Sequence, residues 1–456
     1  MPAFTRDVAI IGAGLSGLTA ATELRKAGVS VVVVEARDRV GGRTWTGDID
    51  GAMIEIGGQW LSPHHTAALD LVKELGLETF SRHRIGESIY LAADGERHLF
   101  TGDVFPAPAA TTKEIQRLLT LLDTLAAEVG ADQPWAHPRA AELDAVPFPL
   151  WLARESDDEY ARETVAFYVS GAMLTKPAHT LSTLQALHMA AAQGSYTNLA
   201  TDTFMLDKRV VGGMQQVSQR LAASLGDDVV LNAPVRRMEW SDEGVTVIAD
   251  GDLEVRADQA ILAIPPTLYP SISFAPPLPR LRNQMYQHMS FGFVVKIHAV
   301  YDKPFWRAKG LSGTGFSDTD LLSEIYDNTN YDADNGALVG FIVNEQADAY
   351  FAMDADARKE AALASFVRYL GPEAANPTVF YESDWGAEEF TGGAYGVSFD
   401  FGGLTRYGAS LRTPLGPIHF ACSDLAGQGF QHIDGAVRMG RRAAEEIVER
   451  RKASVL

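Results

Sequence analysis

The chain has 456 residues, 46% hydrophobic and 21% charged, with a net charge of −20 and a single cysteine, Cys422. That length predicts two or three domains with ample core material. The acidic balance argues against a nucleic-acid partner, which takes basic patches, and one cysteine excludes both an internal disulfide and a cysteine metal cage.

The first forty-three residues organise the rest. Asp7–Ile11 reads as a short buried strand, followed at once by Gly12, Gly14 and Gly17 in a G-x-G-x-x-G turn. Leu18, Ala21 and Leu24 then recur at helical spacing, and Val29–Val34 is a β-branched strand ending on Glu35. This order predicts a dinucleotide site. Gly12 permits the turn, Gly14 lets a pyrophosphate approach the backbone, and Gly17 lets helix and strand pack closely. The first-turn N–H groups, at Leu15 and Ser16, would face the phosphates. Glu35 would accept from ribose hydroxyls. NAD and FAD both remain open at this point.

Arg37 to Arg43 carries three arginines and the pair Gly41-Gly42. Ile54–Trp60 is a strand running into Gly57-Gly58-Gln59-Trp60, where backbone can lie against a flat ligand. A helix over Thr66–Leu75 and a hairpin, Ile85–Tyr90 with Arg97–Phe100, follow. Thr111–Val129 is a long helix with Ile115, Leu118, Leu119, Leu122 and Leu125 on one side, suited to core or subunit contact. Further helices are predicted over Asp157–Val169 and Leu181–Ala192. Beyond Val210-Val211-Gly212-Gly213 comes a helix, Gln215–Leu225, and a meander, Val229–Trp240, Val245–Ala249 and Leu253–Ala257. Ala260–Ile264 reads as a separate buried strand stopped by proline. Strands over Val294–Tyr301, Leu322–Tyr326, Ala337–Val343 and Val379–Trp385, with a helix over Asp356–Leu370, form a second region. Ile418–Cys422 is the last strand, and the final helix runs from Asp434 to Arg450.

These motifs, in this order, resemble the flavin-containing amine oxidase family over nearly the whole chain. The likeness rests on Gly12–Gly17, Arg37–Arg43, Gly57–Trp60, Val210–Gly213, Lys296, Trp385, Gly392-Gly393-Ala394-Tyr395 and Asp434–Val437. Within the family the chain is similar to the soluble bacterial putrescine oxidases. The resemblance implies an α/β fold: a glutathione-reductase-type FAD-binding domain with a Rossmann-like parallel sheet, interleaved with an α+β substrate domain. The FAD domain is expected over 1–80, 208–288 and 390–452, and the substrate domain over 81–207 and 289–389.

It also implies roles. Ala36, Arg37, Gly42, Arg43, Val235, Trp385, Asp424 and Ile433 would line the FAD together with the glycine motifs, Gln59 and Trp60. Lys296 would hold a water beside the flavin. Tyr395 would form one wall of an aromatic cage around the amine, and His432 stands where the second wall is usually aromatic. Ala394 occupies the position of the cysteine that links flavin covalently in monoamine oxidases, so the FAD is expected to be non-covalent. Cys422 is expected to be a small buried filler. Glu324 would meet a second positive charge near a wet pocket mouth, with Leu206 also in the substrate pocket.

The expected activity is oxidation of a short diamine, putrescine, by O2, giving an aminoaldehyde, ammonia and hydrogen peroxide. An aryl-alkyl monoamine such as tyramine is the alternative. No metal is expected and no membrane-spanning run is present. No leader precedes the first strand, so a cytoplasmic protein is expected, and nothing in the sequence decides against a homodimer.

Overall fold

The computed structural model describes residues 3–103 and 105–455. Its first sheet is built on Ala3–Ile11, which runs parallel to Val31–Val34 on one side and to Leu253–Leu262 on the other. Val8–Ile11 and Val31–Val34 are fully or nearly fully buried, as continuous apolar strands in a covered parallel sheet must be. The helix Leu15–Lys26 crosses between them and buries Leu18, Ala21 and Leu24. A Cβ on Gly17 would lie 2.0 Å from the carbonyl oxygen of Gly12. Glycine is therefore required there for the helix to sit on the strand. The helix Ile433–Val455 packs on the other side of this helix, where a Cβ on Gly440 would fall 2.4 Å from the Ser16 carbonyl oxygen.

Two expected boundaries change in this sheet. Val229–Trp240 is not one strand: Val229–Val230 pairs in parallel with Val33–Val34, and Val235–Ser241 belongs to the meander. The break falls at Asn232, in the left-handed region at φ 55°, just before Pro234. Conversely, Leu253–Ala257 and Ala260–Ile264 are parts of one strand, Leu253–Leu262. Its first half pairs antiparallel with Gly244–Ala249, and its last residues pair in parallel with Ile418–Phe420.

The second sheet has seven strands among the described residues. Their order is Val379–Asp384, Val294–Tyr301, Gly336–Val343, Glu324–Asp327, Leu311–Ser317, Glu87–Leu91 and Arg97–Phe100. All pairs are antiparallel except Leu311–Ser317 with Glu87–Leu91. Period-two alternation sends Val295, Ile297 and Ala299 to one face, against Phe366 and Tyr369 of the helix Ala355–Leu370. Val294, Val300 and Phe341 lie on the opposite face. Leu311–Ser317 was not expected as a strand. A Cβ at Gly315 would fall 2.6 Å from the Tyr369 ring, so glycine is needed where this strand meets the helix Ala355–Leu370. Gly313 lies at φ 78°, where the register with Glu87–Leu91 shifts between Leu311 and Gly315, as at a bulge.

Helices Ala109–Val129, Glu159–Val169 and Thr183–Ala192 pack on one another as a layer. Ile115, Leu118 and Leu122 of the first are fully buried, so its apolar stripe is core. Among the described residues no helix is long and apolar enough to cross a membrane.

Candidate active site

A cavity of about 630 Å³ runs from the Gly12–Ser16 turn to the second sheet. Every residue singled out from the sequence for cofactor, substrate or catalysis lines it, except Gly17 and Asp424. Gly17 is spent on helix packing, and Asp424 sits one layer back behind Arg43.

At one end lies the helix Leu15–Lys26, whose N-cap, Gly14, provides no side-chain hydrogen bond. Nothing lies within 4 Å of where a Gly14 Cβ would be. Open first-turn N–H groups beside a bare glycine fit a phosphate. Glu35 is 4% exposed and accepts from Ala13 N at 2.7 Å and Arg37 N at 2.9 Å. Each carboxylate oxygen keeps a lone pair for a ribose hydroxyl. Arg37 is held by Glu388 and Thr391. Val235 and Ala36 also line this end. These features fit the nucleotide part of FAD.

In the middle, Arg43 donates to the carbonyl oxygen of Tyr395 at 3.0 Å, to Ser423 Oγ at 3.0 Å and to Asp424 at 2.5 Å. Asp424 also accepts from Val397 N at 2.7 Å. Cys422 is more than filler: its thiol donates to Asp424 at 2.9 Å and accepts from Arg43 at 3.3 Å. Burial pushes that thiol above its ordinary range, and Asp424 adds to the shift. It is thus a poor nucleophile. Trp385 donates from Nε1 to Ile56 O at 3.2 Å and meets Trp45 edge-on.

Lys296 projects from Val294–Tyr301 and is 5% exposed. Its Nζ donates to Glu55 O at 2.6 Å, Gly57 O at 2.9 Å and Gln59 Oε1 at 2.9 Å. It also lies 5.4 Å from the Trp60 ring centroid. Burial pushes its ammonium below the ordinary lysine value, with Glu55 opposing and Arg209 adding. An ammonium here has all three donors occupied by protein, so a water at Nζ competes with one of these acceptors. Gln59 is fixed from its other end, donating to Asn328 Oδ1 at 2.6 Å.

Tyr395 is half-buried, and the Phe341 ring stands edge-on to it at 6.0 Å. His432 lines the same cavity from the turn before the helix Ile433–Val455. Its Nδ1 lies 2.9 Å from Gln193 Nε2 and 2.8 Å from Phe430 O. Gln193 in turn reaches His65, whose Nδ1 accepts from Ser62 N. Burial lowers both imidazoles, His65 to about 3, so both are neutral near pH 7. Ile433 and Ala436 line the cavity at the start of the last helix, whose buried Asp434 is paired with Arg438.

Glu324 lies on Glu324–Asp327, beside Phe341 in the register, and is 7% exposed. It is therefore deeper than the wet mouth expected for it. Burial pushes its carboxyl up to about 7, against a lowering hydrogen bond from Tyr326 and with Asp202 adding to the rise. Leu206 is half-buried in the same wall, its carbonyl oxygen accepting from Arg84 at 2.7 Å.

Sequence reasoning missed Tyr326, Arg82, Gln193 and His65. Period two from Glu324 would have put Tyr326 on the same face. The others come from distant segments and carry no local signal.

The description "flavin containing amine oxidoreductase" belongs to the family model that matches residues 15–448. The chain is 56% identical to putrescine oxidase of Kocuria rosea, covering 98% of this chain and 96% of that one. A solved structure of wild-type putrescine oxidase bound to putrescine superposes with a TM-score of 0.97 at 59% identity, covering 98% of this chain and 100% of that one. Cyclohexylamine oxidase of Brevibacterium oxydans matches with a TM-score of 0.92 at 34% identity, covering 98% and 99%. The fold, the cavity and these matches agree: the chain belongs to the flavin-containing amine oxidase family.

Proposed function

We propose that this chain oxidises one primary amine of putrescine or a similar short diamine. The amine and O2 with water become aminoaldehyde, ammonia and hydrogen peroxide. FAD, held non-covalently along the cavity with its nucleotide part at Glu35 and the Gly12–Ser16 turn, would supply the two-electron acceptor, with O2 as the final oxidant. Ala394 offers no atom for a covalent link.

The observation that carries the diamine reading is Glu324: a buried carboxyl on the cavity wall with no basic partner within 4 Å among the described residues. A buried carboxylate without a cation is unfavourable, and a diamine brings one. Extended putrescine spans roughly 6 Å between nitrogens, and Phe341, opposite Glu324 in the register, has its ring 6.0 Å from that of Tyr395. With the far ammonium on Glu324, the near amine sits between Tyr395 and His432. There the π-rich, desolvated wall favours its neutral, reactive form. Lys296, locked by three acceptors, holds the backbone at Glu55 and Gly57 and the side chain of Gln59 against the cavity. The putrescine-bound structure of the related enzyme supports this choice over an aryl-alkyl monoamine.

Glu324→Ala removes one partner of a desolvated charge pair, which costs on the order of 2–5 kcal/mol. Given the burial, we expect kcat/KM on putrescine to fall roughly 10²- to 10³-fold, and to fall far less on butylamine. Equal losses on both amines would refute the assignment, since a folding defect lowers both.

A further inference from the structure

We propose that Tyr326 is a positioning residue for diamine specificity: its hydroxyl hydrogen bond keeps the Glu324 carboxylate ionised for the distal ammonium. This rests on the role given to Glu324 above. The two residues are i and i+2 on one strand and face the same cavity, and the Tyr326 hydroxyl donates to Glu324 Oε2. Both are buried, at 7% and 4% exposure.

The tyrosine is itself immobilised. Trp60 meets its ring at 6.0 Å and Phe316 at 5.8 Å, both edge-on, and Phe341 at 6.3 Å. The Arg82 guanidinium covers it at 5.0 Å. A donor fixed in place before substrate arrives costs little to use. It favours the charged over the neutral carboxyl, because a phenol O–H binds a carboxylate more strongly than a carboxylic acid.

The other ionisable groups around Glu324 do not replace it. Asp202, on the helix Asp202–Met205, opposes ionisation. Arg82, following the strand Thr79–Ser81, is engaged by Asp202 and Thr314. Tyr395 and Tyr369 remain neutral phenols, raised above their ordinary value by burial. Tyr326 is the sole hydrogen-bond donor to Glu324's side chain among the described residues. One carboxylate oxygen is thereby held and the other is left for the ligand.

The test is the ratio of kcat/KM for putrescine over butylamine between pH 6 and 9, in the FAD-loaded wild type, Tyr326→Phe and Glu324→Gln. In the wild type the ratio should rise with pH through about 7 as Glu324 ionises. A hydrogen bond to a charged group corresponds to roughly one pKa unit or more. Tyr326→Phe should therefore move that rise up by about one pH unit. The ratio should fall about five- to tenfold at pH 7 and largely recover by pH 9. An unmoved midpoint would overturn the proposal, as would a ratio lowered equally at every pH, which signals lost shape and not lost charge control. Glu324→Gln separates the two levels. If it gives a low, pH-independent ratio while Tyr326→Phe behaves as wild type, only the role of Tyr326 fails. If Glu324→Gln keeps the wild-type ratio, the diamine reading itself fails.

Discussion

Glu324 is held in the fold at the expense of stability. Its folded value, about 7, lies above the ordinary glutamate value near 4.3. Between those limits the folded chain keeps a proton that the unfolded chain has released, so stability falls as pH rises across the window. Glu324→Gln removes this loss. With FAD bound to both proteins, thermal unfolding at pH 8 should favour the variant by about 1–3 kcal/mol, and the gap should shrink steadily toward pH 5. A variant less stable than wild type at pH 8 would contradict the burial argument. Lys296→Met keeps length but removes the three hydrogen bonds to Glu55, Gly57 and Gln59. We expect FAD to remain bound and at least one half-reaction, with amine or with O2, to slow by tenfold or more in stopped-flow traces, since each bond to a charged group counts for roughly 1.5–3 kcal/mol. Unchanged rates in both would leave Lys296 without a part in the chemistry. Residues such as these were legible because a lysine or an acid in an apolar strand is conspicuous. The hydrogen bonds that govern them were not: Gln59 and Asn328 are 269 positions apart, and Gln193 and His432 are 239 apart.

At the scale of elements, strongly periodic segments were readable from sequence. Gln215–Leu225 and Val294–Tyr301 have the boundaries that their patterns predict. The strand Leu311–Ser317 was not legible, because glycines at its crowded positions leave no apolar alternation to read. Gly440 is the instructive opposite, an unremarkable glycine in a charged helix that sets a helix–helix distance. Gly440→Val would push Ile433–Val455 away from Leu15–Lys26, through Ser16 and Thr19. Overpacking of this kind costs typically 1–3 kcal/mol. Both helices start at the cavity, so the damage should reach cofactor retention as well as the melting temperature. We expect a lower ratio of flavin to protein absorbance after gel filtration. A variant with a lowered melting temperature and full flavin content would show that the crossing matters for packing alone.

For the whole molecule, the dinucleotide turn and the second sheet share one cavity. A ligand bound there non-covalently adds RT ln(1 + [FAD]/Kd) to folding, about 2.7 kcal/mol at a hundredfold excess over Kd. The melting temperature should therefore climb with added FAD, and acid precipitation should leave yellow colour in the supernatant. Flavin fluorescence that stays with the denatured polypeptide on a gel would refute the non-covalent assignment. The α/β class and the return of the chain to its first sheet were legible in the motif order. The edge sharing on Leu253–Leu262 was not, because a strand paired differently along its two halves looks like two strands. That strand has a consequence for biosynthesis. The first strand emerges from the ribosome early with Val31–Val34 beside it, yet its neighbour on the other side follows some two hundred and fifty residues later, and Ile418–Phe420 can dock only after that. The nascent chain thus carries an unfinished apolar sheet edge through most of its translation, so capture of FAD and escape from chaperones should coincide with the arrival of the final strand and helix.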